Sequence, residues 1–356
     1  MAPPARHGCT RELLLPASQS KASRAYTAGR GKARAAENYC QPHSGGSAGS
    51  LNRSCTKSGQ SGGSSCGAPK CTCGGCKVGA EDGPEELQDL IASLDQMDPS
   101  DRRMIAQVEG SVWALATSKD GSRLLQEIFE SGDSQGKARL AAELKGNVNR
   151  AWQCEVAARY ANFVIQKCVE VMPPGLCHFV RDEMMGANVE EAACSKYGCR
   201  ILQRLIEHFH NREMEDLLKV LLEERTLWGL MANKYGNFVV QCVLEHGSKP
   251  QRSLIAQVVL GHTEQRPEDE LRLAEKVKKM PEGLEKDYCR VAALASSMYA
   301  SNVMQKAMMH CSEDEQRQIV RKVLDAERLP FLKRSRYGSF VTSEAQKLHD
   351  RIHSEA

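Results

Sequence analysis

Along residues 118–130, SKDGSRLLQEIFE, the apolar residues Leu124, Leu125, Ile128 and Phe129 fall at the three- and four-residue spacing of one helix face. The arrangement returns as ARYANFVIQKCVE from Ala158, SKYGCRILQRLIE from Ser195, NKYGNFVVQCVLE from Asn233, SMYASNVMQKAMM from Ser297 and SRYGSFVTSEAQK from Ser335. Counted from the residue after a small Gly or Ala, the six copies start at Ser122, Asn162, Cys199, Asn237, Ser301 and Ser339, at steps of 40, 37, 38, 64 and 38 residues. Helix-forming stretches such as REMEDLLKVLLEE (212–224) lie between copies, and strand-like alternation is missing. The pattern predicts an all-α solenoid, in which each unit leaves an apolar face that only its neighbours can bury.

The step of 64 fits one unit plus roughly 26 inserted residues. The insertion is placed near 262–288, where RPEDELRLAEKVKKMPEGLEKDY (266–288) has the character of a charged, solvated helix. Upstream, PEELQDLIASLDQM and PSDRRMIAQVEG predict two helices starting near Pro84 and Ser100, suited to capping the first unit. Past Ser339 the chain turns polar through EAQKLHDRIHSEA, as expected at the opposite end. The repeat domain is therefore expected over 81–356.

Each copy contains a five-residue frame. Positions three and four are Leu-Leu, Val-Ile, Ile-Leu, Val-Val, Val-Met and Val-Thr, the expected core. Positions one and five lie one helical turn apart with position two beside them, so the three should share a small surface patch. Position five is Gln126, Gln166, Gln203, Gln241 and Gln305, then Ser343; position two is Arg123, Phe163, Arg200, Phe238, Asn302 and Phe340. A lone exposed Gln is ordinary solvated surface, but five in one register on a changing surface are not. Aromatic rings and guanidinium planes can stack on a base, and amide side chains offer a donor and an acceptor to a base edge.

These frames carry a resemblance. SRLLQ, NFVIQ, CRILQ and NFVVQ, each after Gly or Ala, together with QCVLEHG and SNVMQKAMMHC, resemble the repeats of the Pumilio (PUF) family of RNA-binding proteins over roughly residues 105–350. The resemblance implies a right-handed superhelical crescent of three-helix repeats that binds single-stranded RNA on its concave face, one base per repeat, to regulate messenger RNA stability or translation through 3' untranslated sites. Carried over repeat by repeat, Ser122 with Gln126 implies adenine, Asn162 with Gln166 uracil, Cys199 with Gln203 adenine, and Asn237 with Gln241 uracil. Since RNA runs antiparallel to the protein in this family, these four imply 5'-UAUA-3'. The family's guanine reader pairs Ser with Glu, so Ser301 with Gln305 leaves adenine or guanine open, and Ser339 with Ser343 lacks the Gln altogether. The implied element is 5'-N(A/G)UAUA-3', with Arg123, Phe163, Arg200, Phe238, Asn302 and Phe340 as the stacking residues. Lys167, Arg204 and Lys306, beside the reading Gln, are expected to meet phosphates. The family implies a monomer, with protein effectors possible on the convex face. The alternative is a helical-repeat scaffold for protein partners that has kept the fold but binds RNA weakly or without selectivity.

Composition divides the chain. Residues 1–80 are rich in Gly, Ser and Cys and hold 11 Lys and Arg against Glu12 and Glu37, leaving 37 of the 48 bases and 43 of the 45 acids for residues 81–356. The basic head lacks any apolar period and is expected to be disordered; its character is also that of an organelle transit peptide. The acidic body rules out general basicity as an argument for nucleic acid, so the case rests on particular positions. Cys66, Cys71, Cys73 and Cys76 are crowded into CGAPKCTCGGC, where a flexible Cys-rich tract is favoured over a zinc knot. No cofactor is expected. Cysteines set within apolar helices favour a reducing compartment, hence the cytoplasm, with organelle targeting through the head as the alternative. The longest apolar run near the start, Leu13–Leu15, is too short for a span, and Gly-x-Ser-x-Gly, phosphate-loop and His-Glu-x-x-His motifs are missing, so an enzyme is not expected. His208, His210 and His246 are expected to cap helix C-termini.

Overall fold

The computed structural model describes residues 85–354 apart from 96, 211, 262–285 and 326–328. By internal contacts the chain divides into Met1–Gly67 and Ala68–Ala356, and every described residue lies in the second unit. The four-cysteine tract and most of the expected insertion lie outside the described residues.

Among the described residues every regular element is a helix. Two helices, α1 (Glu85–Leu94) and α2 (Arg102–Val108), precede the repeats. Asp101 caps α2 by accepting from the Arg103 N–H, one residue beyond the start expected at Ser100. Five complete three-helix units follow. They are α3 (Val112–Ala116), α4 (Lys119–Ser131) and α5 (Ser134–Leu144); α6 (Arg150–Gln153), α7 (Glu155–Val171) and α8 (Pro174–Gly186); α9 (Val189–Ala193), α10 (Gly198–His208) and α11 (Glu215–Leu221); α12 (Glu224–Ala232), α13 (Gly236–His246) and α14 (Lys249–Leu260); and α15 (Lys286–Ser296), α16 (Ala300–His310) and α17 (Glu313–Leu324). A sixth unit holds α18 (Leu329–Arg334) and the long α19 (Arg336–Ser354).

The second helices pack in a continuous row, α4 on α7, α7 on α10, α10 on α13, α13 on α16 and α16 on α19. The solenoid expected from the 38-residue period is therefore present. Positions three and four of the frame supply the seam: Leu125, Val164, Ile165, Ile201, Leu202, Val303 and Met304 are fully buried, and Val239 and Val240 nearly so.

The small residue before the frame has a steric reason. At Gly121, Gly198 and Gly338 a Cβ would meet the backbone oxygen of Leu115, Ala192 or Leu332 at 2.6, 2.5 and 2.6 Å, because the first helix of each unit crosses closely there. Four residues before position one, a polar side chain caps the second helix. The Ser118 and Ser195 hydroxyls accept from the Gly121 and Gly198 N–H groups at 3.1 and 2.8 Å, and Asn233 Oδ1 accepts from Tyr235 and Gly236. Repeat two has Ala158 at that place, and there the helix does not restart: α7 runs unbroken from Glu155.

Candidate functional site

The frame positions sit on the second-helix row, but not as one flat patch. Position one lies under position five rather than beside it. Ser122, Asn162, Cys199, Asn237 and Ser301 are all at most 3% exposed, while the five Gln side chains above them are half-buried. The reason is a local hydrogen-bond clamp. In repeats two and four, Gln166 and Gln241 Nε2 donate to Asn162 and Asn237 Oδ1 at 2.7 and 2.9 Å. The Asn Nδ2 groups donate backwards, Asn162 to Ala158 O at 2.5 Å and Asn237 to Asn233 O and Lys234 O at 2.9 and 3.0 Å. In repeats one, three and five the amide reaches the position-one main chain: Gln126, Gln203 and Gln305 Nε2 donate to Ser122, Cys199 and Ser301 O at 3.0, 3.0 and 3.2 Å, as Gln166 also does to Asn162 O at 3.2 Å, and Gln126 meets the Ser122 hydroxyl as well at 3.3 Å. Each Gln is thus pre-oriented, and the Asn frames alone add a side-chain amide oxygen as its acceptor. That difference is invisible in sequence spacing alone.

Position two faces outward. Phe163 and Phe340 are 45% and 60% exposed, Arg123 and Asn302 are exposed, and Phe238 and Arg200 are half-buried. Neither Phe163 nor Phe238 belongs to the buried core cluster. In the sixth unit Ser339 only bonds back to Arg336 O at 2.9 Å, and Ser343 is exposed. Tyrosines ahead of the frame lie under cations, Lys196 over Tyr197, Lys234 over Tyr235 and Arg336 over Tyr337, at 4.9, 5.2 and 5.7 Å from the ring centres. The Lys/Arg-Tyr dipeptide ahead of the Gly was the sequence signal for these pairs.

The basic residues expected to meet phosphates are instead engaged within the row. Lys167 pairs with Glu130 of the preceding repeat at 2.8 Å and with Glu170 at 3.2 Å; Arg204 reaches Glu170 at 3.6 Å and Glu207 at 2.5 Å; Lys306 pairs with Glu245. The Glu lies four residues beyond the reading Gln and draws in the base from the next repeat, a ladder that spacing within one repeat cannot reveal. Arg123 and Arg200 take no part in it. Burial, helped by Glu207 and Glu245 nearby, pushes the Cys242 thiol well above its ordinary value, so it is protonated at neutral pH. His246 is exposed at the end of α13 and His208 at the end of α10.

Among the described residues no helix is long and apolar enough to cross a membrane.

The family model of the Pumilio-family RNA binding repeat matches residues 111–145, 159–185, 188–222, 229–260 and 290–324, one segment in each of the five complete three-helix units. The chain is similar to a Pumilio domain-containing protein of Schizosaccharomyces pombe, 22% identical over 184 residues that cover 52% of this chain and 22% of the relative. It is 23% identical over 294 residues to pumilio homolog 7 of Arabidopsis thaliana, described as chloroplastic, covering 68% of this chain and 43% of the relative. With fem-3 mRNA-binding factor 2 of Caenorhabditis elegans it shares 28% identity over 147 residues, covering 37% of this chain and 23% of the relative. The match therefore spans less than half the length of each of these relatives. In fold it resembles the Puf3 RNA binding domain bound to two Cox17 RNA 3' UTR recognition sequences, with TM-scores of 0.54 and 0.55, 21% and 19% identity, and coverage of 69% and 74% of this chain and 66% and 69% of that domain.

Proposed function

This chain belongs to the Pumilio family of RNA-binding repeat proteins, and on that premise we propose that its row of second helices binds single-stranded RNA, one base per repeat, at 5'-N(A/G)UAUA-3'. The observation that carries this reading is the set of clamped Gln side chains, each fixed by position one and bordered by an outward residue at position two. A fixed amide costs little ordering entropy when it meets a base edge. Asn162 and Asn237 set Gln166 and Gln241 for uracil, whereas Ser122 and Cys199 set Gln126 and Gln203 for adenine. Ser301 with Gln305 departs from the family's Ser–Glu guanine pair, which leaves adenine or guanine at the fifth repeat. Phe163, Phe238 and Arg200 stack between bases, and Phe340 closes the end of the site.

The role that follows is post-transcriptional regulation of messenger RNA in the cytoplasm, by a monomer that recruits effector proteins through the face opposite the RNA. The test is a change of code. Replacing Asn237 by Ser and Gln241 by Glu together should move that repeat from uracil towards guanine, read as relative affinity for UAUA and its single-base variants at fixed salt. An unchanged uracil preference would refute the register. Equal affinity of the unaltered chain for UAUA and a scrambled oligonucleotide would favour the protein-binding scaffold.

A further inference from the structure

The ion-pair ladder has one rung without a cation from the following repeat. In repeats two, three and five the residue after the reading Gln is Lys167, Arg204 or Lys306, each paired with the preceding repeat's Glu. In repeat four that residue is Cys242, facing Glu207 of repeat three. One turn further along α13 stands His246. The carboxylate, thiol and imidazole donor atoms of Glu207, Cys242 and His246 all lie within 4.8 Å of one another. The two oxygens of Glu207 are divided in their tasks: Oε2 accepts from Arg204 Nη1 at 2.5 Å, while Oε1 lies 3.9 Å from the Cys242 sulfur. Glu245 divides its oxygens as well, Oε1 pairing with Lys306 and Oε2 lying 3.9 Å from His246 Nε2, a long contact that His246 gives up on turning to a metal.

We propose that Glu207, Cys242 and His246 form a zinc-binding site at the junction of repeats three and four, where the metal takes the place that the next repeat's Lys or Arg fills in the other rungs. Thiolate, imidazole and carboxylate are the zinc donor set, and a thiol disfavours magnesium or calcium. Ligand atoms on one tetrahedral zinc lie about 3.3–3.6 Å apart, from bond lengths near 2.0–2.3 Å. The three donors need only side-chain rotation to close by roughly 1 Å, and two of them are fixed one turn apart on the same helix. Binding displaces the thiol proton to solvent. Three protein ligands leave a fourth position open for water. Cys242 is only 4% exposed, which shields the thiolate, while the exposed His246 gives the metal its way in.

The test uses the full chain with Cys9, Cys40, Cys55, Cys66, Cys71, Cys73 and Cys76 all changed to Ser, so that thiols of the head cannot hold metal. Cobalt(II) titration, read by sulfur-to-cobalt charge transfer in the near ultraviolet and reversed by zinc, reports thiolate coordination. One equivalent should bind, and His246→Gln or Cys242→Ser should weaken it by at least about tenfold with an unchanged helical spectrum. Cys242→Lys should complete the ladder, keep the fold and abolish the cobalt signal. The proposal fails if this chain takes up no cobalt or zinc at micromolar free metal, or if the His246→Gln and Cys242→Ser proteins hold it as tightly. No RNA is present, so the result is independent of the RNA-binding reading.

Discussion

Asn162 and Asn237 bear two duties at once, since each is buried and each fixes the Gln above it. Replacing either by Ala removes the side-chain acceptor for the Gln amide, and a lost buried hydrogen bond of this kind costs about 1–2 kcal/mol. A lower thermal midpoint together with loss of uracil preference at that repeat is expected; preserved stability would show that the amide is not held from below. The opposite signature belongs to position two. Phe163→Ala and Phe238→Ala should leave the melting curve nearly unchanged and weaken every RNA alike, by about 1–3 kcal/mol per stacked base. A collapse in thermal stability would place the rings in the core.

At the scale of the helix, the ladder decides what salt does. Each phosphate neutralised on a single strand contributes about -0.7 to the slope of log affinity against log salt. Because Lys167 is held between Glu130 and Glu170, Lys167→Met should change that slope by much less than one phosphate's worth; a full loss of about 0.7 would mean that Lys167 leaves its carboxylates for the RNA. The C-terminus of α16 gives a pH signature. Burial, with Lys306, Arg252 and His246 also nearby and Glu245 opposing them, lowers the His310 pKa below 6.5. The unfolded chain then binds more protons between the two values, so this contribution is complete above about 6.5 and is lost as pH falls through the folded value. His310→Gln should flatten that decline in thermal midpoint, and an identical pH profile in the two proteins would remove His310 from the account.

Over the whole described chain, the sequence reveals periodicity better than depth. The recurring Leu124-Leu125 and Val239-Val240 pairs announce the seam because burial and helical spacing are the same fact. The Gly before the frame was legible as a marker, while its cause, the crossing of the first helix, needs the fold. Asn162 and Asn237 were placed on the surface by polarity, yet they are buried because their amides bond to their own helix and to Gln. The bases Lys167, Arg204 and Lys306 looked free because their partners come mostly from the preceding repeat, 34 to 61 residues away. Cys242 stood out only once the ladder it interrupts was visible.

The most direct test of the central claim is selection of bound RNAs from a random pool by the full-length protein. Enrichment of UAUA, with a purine immediately 5' to it where Gln305 stands, is the predicted result. A flat profile would contradict it and turn the search to protein partners of the same solenoid.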